Sequence, residues 1–483
     1  MTKESGNKST LGITANKKDN FSDWYTQVIQ KAELIDYSDV SGCMVLRPYS
    51  YEIWETIVAY LDPKFKEKGV KNAYFPLLIP EKLLNKEKDH IEGFAPEVAW
   101  VTHGGNSKLP ERLAIRPTSE TIMYNSYAKW IRSYRDLPLL INQWCNVVRW
   151  EFKHPVPFLR TREFLWQEGH CVHATHDECH KFVLEILDIY EEICHNLLAI
   201  PVFKGTKSEK EKFAGALTTT SIETFFPNGK AIQVATSHNL GDHFAKAFNV
   251  KFMDKDEQLK PAWQNSWGIT TRSIGIMIGM HGDNKGLIIP PKIAPIQAVI
   301  IPIHNDENKK EILTAAENLK KQLKGIRIHI DDTDNRPGWK YNQWEMKGVP
   351  IRIELGPKDL EKKSALVVRR DTGTKEPIPL EKIKELLEQK LEEIQENLFQ
   401  IADKRIKESV QNIETKEEFL QVIKEKKIAY ALWCGQKDCE EILKDESGGA
   451  KSLNIPFNQK KPNKNCIFCN KEAEFYAYFA KSY

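Results

Sequence analysis

Two apolar stretches around an arginine-bearing loop constrain the fold of this chain more than any other feature. Residues 139–150 (LLINQWCNVVRW) and 163–173 (EFLWQEGHCVH) are rich in β-branched and aromatic residues, which favours strands. The segment between them contains His154, Pro155 and Pro157, and proline is excluded from the interior of a sheet. The sequence therefore predicts a hairpin of two facing strands.

The hairpin carries charged and aromatic residues in a pattern that suits a nucleotide. Arg149 and Glu151 close its first half, and Arg160, Phe164 and Glu168 follow the loop. One guanidinium group can bind two phosphate oxygens at once, and an aromatic ring can stack on a base. A charged hairpin with a phenylalanine in the core would show the same residues, so this motif alone leaves both interpretations open.

Regular elements around the hairpin predict the class of the domain. Apolar residues recur at helical spacing over residues 51–68, and Gly69 is a helix stop signal. Pro76, in the apolar run AYFPLLIP, indicates a strand at an edge or an interface, because proline cannot donate to a ladder. Thr175 and Glu178 form a capping box ahead of an apolar helix. This mixed order predicts an α+β domain built on an antiparallel sheet.

The length of 483 residues indicates several domains, since one domain usually has roughly 100–200 residues. We expect a mobile polar tail over residues 1–20 and the α+β domain over residues 21–290. The segment PPKIAP marks a boundary, after which strands alternate with helices over residues 291–400, as in an α/β domain. Residues 401–483 are expected to form a small cysteine-bearing domain.

Composition excludes several classes of protein. Apolar residues make up 41% and charged residues 28%, as in ordinary globular chains. No stretch has the ~18 apolar residues that a membrane span needs, and the N-terminus lacks the apolar core of a secretory signal. We therefore expect a soluble cytoplasmic protein with no membrane partner. The net charge of +3 neither requires nor excludes a nucleic acid partner.

Four of the nine cysteines lie close together in the last fifty residues, namely Cys434, Cys439, Cys466 and Cys469. Two cysteine pairs joined by a loop can supply the four thiolates of a tetrahedral zinc site, which would be structural because it has no open position. The C-x4-C spacing is looser than the usual C-x2-C, and four unpaired surface cysteines are the alternative. The histidine-rich run HCVHATHDECH is interpreted as structural, because its histidines divide between a strand and a helix.

Several segments, taken in order, resemble the three signature motifs of class II aminoacyl-tRNA synthetases. A long helix leads into the Pro76 strand, the arginine hairpin follows, and WGITTRSIG supplies a third motif with Arg272. The chain resembles the archaeal/eukaryotic-type branch of the prolyl-tRNA synthetases in GCMVLRPYSYEIWE, RPTSET, VATSHNLGDHFAKAF and its four-cysteine end. The resemblance implies a class II catalytic domain, an anticodon-binding α/β domain, a zinc-binding C-terminal domain, and a homodimer formed through the first motif.

The resemblance also implies an enzyme that activates L-proline with ATP and Mg²⁺ and transfers it to tRNA(Pro). Catalysis would need positioning and charge neutralisation, because the proline carboxylate is already a nucleophile. Arg149 would contact the α-phosphate and the carboxylate, and Arg160 and Arg272 would hold the outer phosphates. Phe164 would stack on adenine. Arg149 and Arg272 are the expected catalytic residues. The supporting nucleotide contacts, with Gln233 near magnesium, would be Glu151, Thr161, Gln233, Thr236 and Thr270.

Residues for proline itself follow from the same resemblance. Thr118 and Glu120 in RPTSET would accept the two N–H donors of the proline ammonium. The residues that would line the ring are Phe94, Trp166, Phe213 and His238. A structural role for His238 and ordinary core packing for Phe94 and Phe213 are the alternatives.

The resemblance leads to three further expectations. Only about a hundred residues separate Glu168 from Arg272, too few for the editing insertion of bacterial-type relatives, so we expect no internal editing domain. Tyr483 is expected to pack back toward the catalytic domain. The anticodon could be contacted by side chains of suitable type, although salt-bridge or core roles are as plausible for each. These side chains are Arg336, Trp339, Glu354 and Arg369.

Two rival functions remain. One is another class II enzyme, such as a threonyl-, seryl- or glycyl-tRNA synthetase, against which RPTSET, Trp166 and the position of the cysteines argue. The other is a paralogue that binds tRNA without charging it, against which the three arginines argue. Thr271 stands where class II usually has a glutamate, so the residues that orient Arg272 are left open.

Overall fold

The computed structural model describes residues 12–90, 97–151 and 154–483. Its elements up to residue 281 form a first group, which contains most of the helices and strands. The strands of this group are β1 Ile35–Tyr37, β2 Met44–Leu46, β3 Lys71–Asn72, β4 Leu78–Pro80, β5 Trp100–Gly104, β6 Ser107–Ile115, β7 Leu139–Val148, β8 Glu163–His173, β9 Phe203–Thr206, β10 Thr218–Phe225, β11 Ala231–Gly241, β12 Lys251–Met253, β13 Leu259–Pro261 and β14 Trp263–Thr270. The helices are α1 Phe21–Lys31, α2 Pro48–Glu67, α3 Glu81–His90, α4 Glu120–Trp130, α5 His176–Asn196, α6 His243–Phe248 and α7 Arg272–His281.

Two further groups of elements follow. The second group comprises β15 Ala298–Pro302, α8 Lys309–Gln322, β16 Ile328–Ile330, α9 Pro337–Met346, β17 Ile351–Leu355, α10 Pro357–Glu361, β18 Ser364–Arg369 and β19 Lys375–Pro379. The long helix α11 Ile383–Ser409 leads to the third group. That group comprises β20 Val410–Ile413, α12 Lys416–Lys424, β21 Ile428–Trp433, α13 Lys437–Glu446, β22 Ala450–Ser452, β23 Ile455–Pro456 and β24 Phe475–Lys481.

An eight-stranded sheet in the order β23-β9-β10-β11-β14-β8-β7-β3 forms the frame of the first group. Its neighbouring strands run antiparallel except for the short parallel pair β3–β7. The predicted hairpin is the β7–β8 pair, which stays in register from Leu139 opposite Val172 to Val148 opposite Glu163. Helix α5 covers one face and begins at the capping box of Thr175, as predicted. The expected α+β fold on an antiparallel sheet is confirmed.

The segment around Pro76 differs from the prediction. Only Leu78–Pro80 of AYFPLLIP is a strand, and Pro76 itself is outside any strand. Side chains from other elements satisfy the backbone there: Gln143 accepts from the Phe75 N–H at 2.5 Å, and Arg116 donates to the Phe75 carbonyl at 2.7 Å. The backbone of Phe75 is therefore satisfied without a ladder.

The second group is an α/β unit around a five-stranded sheet in the order β16-β15-β17-β18-β19. Strand β15 runs parallel to both neighbours, and β18 runs antiparallel to both β17 and β19. Two candidate anticodon residues are engaged inside it: Arg369 pairs with Asp371, and Glu354 with Arg352. Arg336 and Trp339 are exposed.

The third group is joined tightly to the first. Its four-stranded sheet has the order β20-β21-β24-β22, while β23 adds to the edge of the central sheet beside β9. Tyr483 packs on the first group, where its N–H donates to the Ala231 carbonyl at 3.1 Å and its ring meets Phe226 at 5.4 Å. Residues of the described chain form no helix that is long and apolar enough to cross a membrane.

Packing extends N-terminally of the predicted boundary at residue 21. The backbone N–H of Lys17 donates to Asn284 at 2.8 Å, and its ammonium lies 4.7 Å from the centre of the Trp24 ring. Burial, assisted by the charge of Arg405, lowers the pKa of Lys17 to about 7. The described part of the predicted tail, residues 12–20, thus lies against the first group.

Candidate active site

The alternation of side chains along β8 separates a cavity from the core. Phe164, Trp166 and Glu168 face a cavity of about 260 Å³. Gln167 lies on the other face of the sheet, where its side chain accepts a hydrogen bond of 2.6 Å from Tyr190 of α5. The cavity therefore opens on the face of the sheet that α5 leaves uncovered.

The structure brings the predicted ATP and proline residues together in this cavity, with two exceptions. Glu151 is exposed and does not line it, and Phe94 lies outside the described residues. The predicted residues that line the cavity are Thr118, Glu120, Arg149, Arg160, Thr161, Phe164, Trp166, Phe213, Gln233, Thr236, His238, Thr270 and Arg272.

Three guanidinium groups give one end of the cavity a strong positive charge. Arg272 stands at the start of α7, where its Nε donates to the Leu159 carbonyl at 3.0 Å and its backbone N–H to the Thr270 hydroxyl at 3.0 Å. Burial, assisted by the charges of Arg149 and Arg160, lowers the pKa of Arg272 to about 10. Such a cluster suits a polyanion, whose charge would relieve the mutual repulsion.

Two aromatic rings lie beside Arg149. The Arg149 guanidinium lies 5.6 Å from the centre of the Phe164 ring and 5.3 Å from that of Trp166, and its Nε donates to the Pro117 carbonyl at 3.1 Å. The two rings are nearly perpendicular at 6.0 Å. Arg149 is thus positioned between the aromatic pair and the turn that leads into α4.

The other end of the cavity has polar acceptors beside an apolar wall. The Thr118 hydroxyl donates to the buried carboxylate of Glu120. The Thr219 hydroxyl accepts from the Phe213 N–H at 2.9 Å and lies 2.9 Å from Nδ1 of His238. Burial, assisted by the charge of His170, lowers the pKa of His238 to about 3, so this imidazole is neutral near pH 7.

A buried network beneath these acceptors was not foreseen from the sequence. Glu168 accepts from the Ser119 backbone and hydroxyl, from Gln143 at 3.0 Å and from His170 at 3.1 Å. The other ring nitrogen of His170 lies 3.2 Å from the Tyr124 hydroxyl. Glu168 and Ser119 stand inside recognised motifs, but their meeting across 49 positions leaves no local signal.

Burial and hydrogen bonding have opposite effects on the pKa values of the two titratable groups in this network, Glu168 and His170. Burial raises the pKa of Glu168, but the hydrogen bonds from His170, Ser119 and Gln143 and the charge of His170 outweigh it and hold that pKa below its ordinary value. Burial lowers the pKa of His170, but the charges of Glu120 and Glu168 outweigh it and raise that pKa. The network therefore favours a charged carboxylate on Glu168 and a proton on His170 beneath the Thr118–Glu120 turn.

The four predicted cysteines meet in the third group. Their sulfurs all lie within 4.8 Å of one another. Cys439 and Cys466 are 3.8 Å apart and Cys434 and Cys469 are 3.5 Å apart, far beyond the ~2.05 Å of a disulfide. A tetrahedral zinc site with Zn–S bonds of ~2.3 Å has sulfur–sulfur edges of about 3.8 Å. The cluster is compatible with a structural zinc ion.

Comparison with known protein families finds three matches along the chain. The class II core domain of tRNA synthetases for G, H, P, S and T matches residues 102–281. An anticodon-binding domain matches residues 297–390, and the C-terminal domain of prolyl-tRNA synthetases matches residues 416–483.

Individual relatives match over nearly the whole chain. A proline–tRNA ligase of Alkaliphilus oremlandii is 52% identical over 467 residues, which is 96% of each chain. The cytoplasmic proline–tRNA ligase of Arabidopsis thaliana is 49% identical, with 100% of this chain and 92% of the relative covered. A solved prolyl-tRNA synthetase of Cryptosporidium parvum, complexed with halofuginone and AMPPNP, has a TM-score of 0.94 and 52% identity, and the match covers 98% of this chain and 100% of that one.

Proposed function

Because this chain belongs to the proline–tRNA ligase family of class II synthetases, we propose that the cavity on its central sheet joins L-proline to ATP and passes the prolyl group to tRNA(Pro). AMP and pyrophosphate would be the other products. The observation that carries this assignment is the convergence of three arginines and the Thr118–Glu120 pair in one cavity.

The arrangement supports in-line attack of the proline carboxylate on the α-phosphate. Arg149 would bridge these two anions, which brings the reacting atoms together and offsets their repulsion. Arg160 and Arg272 would hold the β- and γ-phosphates while pyrophosphate leaves. Mg²⁺, which class II synthetases use with ATP, would share this charge, and Gln233 is the lining side chain beside which we place it. Adenine would stack on Phe164.

Proline would enter the opposite end of the cavity. The Thr118 hydroxyl and the Glu120 carboxylate would accept its two N–H donors, and the buried carboxylate would provide the counter-charge. The ring would lie against Trp166, Phe213 and the neutral His238. A charged imidazole at this position would repel the ammonium, so the low pKa of His238 supports this arrangement.

We further propose that the chain has no editing domain between its second and third motifs. The stretch from Glu168 to Arg272 is occupied by α5, β9–β11, α6 and the strands β12–β14, which belong to or pack on the central sheet. Discrimination against alanine would then rest on binding alone, and missing methylenes provide only ~1–3 kcal/mol. Hydrolysis of alanyl-tRNA(Pro) by the isolated protein, faster than the spontaneous rate, would contradict this proposal.

A homodimer is the assembly we propose. Aromatic and aliphatic side chains around Pro76 are exposed, with Tyr74 at 74%, Trp130 at 50% and Leu78 at 38%. Exposed apolar residues in such number often mark an interface. Sedimentation of wild type and Tyr74→Glu tests this: a dimer that dissociates in the variant supports the proposal, and a monomeric wild type contradicts it.

The remaining features complete the proposal. We place domain boundaries near residues 290 and 400 and assign tRNA anticodon binding to residues 291–400. Exposed Arg336 and Trp339 are the better candidates for base contacts, because Glu354 and Arg369 already have partners. A cytoplasmic location agrees with the cytoplasmic relative from Arabidopsis thaliana.

The experiment that tests the function is pyrophosphate exchange into ATP with each amino acid in turn. Exchange driven by proline supports the assignment. A stronger response to another amino acid would contradict the proline site while leaving the class II fold intact. Silence with every amino acid, with and without tRNA, would favour a paralogue that binds tRNA without charging it.

A further inference from the structure

Residues 451–456 of the third group run beside the strand that leads to the cavity. Ile455 and Pro456 pair antiparallel with Thr206 and Gly205, and the Asn454 amide donates to the Phe203 carbonyl at 2.8 Å. The approach is close: a Cβ on Gly205 would lie 2.2 Å from the Ile455 carbonyl oxygen. We call this contact between residues 203–211 and 451–456 the seam.

A buried cation fixes the seam where β9 ends. The Lys207 ammonium donates to the Leu453 carbonyl at 2.7 Å and to Glu223 at 2.5 Å. Both charged side chains are nearly inaccessible, at 5% and 3% exposure. A buried ion pair that also satisfies a backbone carbonyl permits little displacement, because breaking it leaves an uncompensated charge.

Four residues later a second ion pair joins the seam to the cavity itself. Glu211 lines the cavity, and its carboxylate lies 2.6 Å from the ammonium of Lys451. Their side chains are partly buried, at 21% and 31% exposure. The ring of Phe213, two residues further on, is centred 4.9 Å from that of His238. The loop that carries this wall of the cavity is therefore held from the third group.

We propose that Lys451 is a positioning residue for proline: through Glu211 it fixes the loop that presents Phe213 to the proline ring. This inference rests on the proposed function. A loop that spends less time in its binding position lowers the apparent affinity in proportion. The ATP end would be little affected, since Arg272 is held by Leu159 and Thr270 instead.

The test compares Lys451→Met with Glu441→Gln in proline-dependent pyrophosphate exchange. Glu441 pairs with Lys210 of the same loop at 3.3 Å but is 64% exposed and does not line the cavity, so it is the matched control. For Lys451→Met we expect the KM for proline to rise about threefold to tenfold, the range of remote coupling effects. The KM for ATP and the kcat should stay within about twofold.

Rescue and a second truncation complete the design. Lys451→Arg should restore the KM for proline. If Lys451→Met folds poorly, Lys451→Gln takes its place and should raise the KM for proline by the same factor. An unchanged KM for proline, an equal rise for ATP, or the same rise in Glu441→Gln would overturn the inference. A wild-type protein that does not respond to proline would instead contradict the proposed function.

Discussion

Glu168 accepts a hydrogen bond from the backbone N–H of Ser119 at 3.1 Å and thereby ties β8 to the turn that carries Thr118 and Glu120. The bond joins the arginine hairpin to the proposed proline acceptors. His170 contacts the same carboxylate at 3.1 Å beneath the turn. The acceptors are therefore fixed from below by groups that are themselves buried.

Replacing Glu168 by glutamine should loosen this turn. The carboxylate accepts from several donors, and an amide would turn its NH₂ group toward some of them. We expect a loss of about 1–3 kcal/mol in the free energy of unfolding. The KM for proline should rise more than the KM for ATP. Urea unfolding and exchange kinetics check this, with Glu163→Gln, at the far end of the same strand, as the control; equal behaviour of the two variants would contradict the role.

Arg272→Gln should weaken the use of ATP. Its guanidinium is buried beside the charges of Arg149 and Arg160, and a polyanion is the ligand that would relieve this repulsion. We expect kcat/KM for ATP to fall about a hundredfold or more. Arg162→Gln is the control, because Arg162 stacks on Trp150 at 4.4 Å outside the cavity. Pyrophosphate exchange measured at varied ATP concentration gives kcat/KM for ATP in both variants. A fall of less than tenfold in Arg272→Gln would exclude Arg272 from phosphate binding.

His281 should contribute to instability in mild acid. Burial, followed by the charges of Arg405 and Lys17, lowers its pKa from 6.5 to about 3. Between pH 7 and pH 5 the unfolded chain gains a proton that the folded chain does not, so stability falls by about 2 kcal/mol through this group. Glutamine can donate to the same Leu198 carbonyl. In urea unfolding, His281→Gln should therefore lose about 2 kcal/mol less than wild type over this interval; parallel losses would refute the assignment.

Cys466→Ser should remove a bound metal ion. We expect about one zinc per chain in the wild type by elemental analysis and a large loss in the variant, because a closed site needs all four thiolates. The variant should also unfold at a lower temperature. Cys43→Ser, far from the cluster in sequence, should keep its zinc. Wild-type protein that contains no zinc when purified, and is as stable without zinc as with it, would contradict a structural metal.

The hairpin, the capping box and the long helix could be predicted from the sequence because each has a local signal. Strand β8 alternates between cavity and core, α5 has its cap at Thr175, and α2 buries Ile53, Ile57 and Leu61 on one face. The candidate site residues came instead from a resemblance of short motifs, and the structure places nearly all of them in one cavity.

Long-range pairings could not be predicted. Phe75 and Gln143, Ser119 and Glu168, and Glu211 and Lys451 meet through tertiary packing that no window of sequence records. The Pro76 segment was expected to be a strand because its apolar residues resemble one, yet only Leu78–Pro80 pairs in a sheet, and side chains satisfy the backbone of Phe75. Glu151 belongs to a recognised motif but is exposed, since motif spacing does not determine where a loop residue points.

The most direct test of the central claim measures proline-dependent pyrophosphate exchange in wild type, Arg149→Ala and Arg135→Ala. Arg149 should bridge the carboxylate and the α-phosphate, whereas Arg135 lies on the surface beside Tyr134. We predict proline-specific exchange in wild type and in Arg135→Ala, and a loss of about a hundredfold or more in Arg149→Ala. Exchange that persists in Arg149→Ala near the wild-type rate would contradict the account.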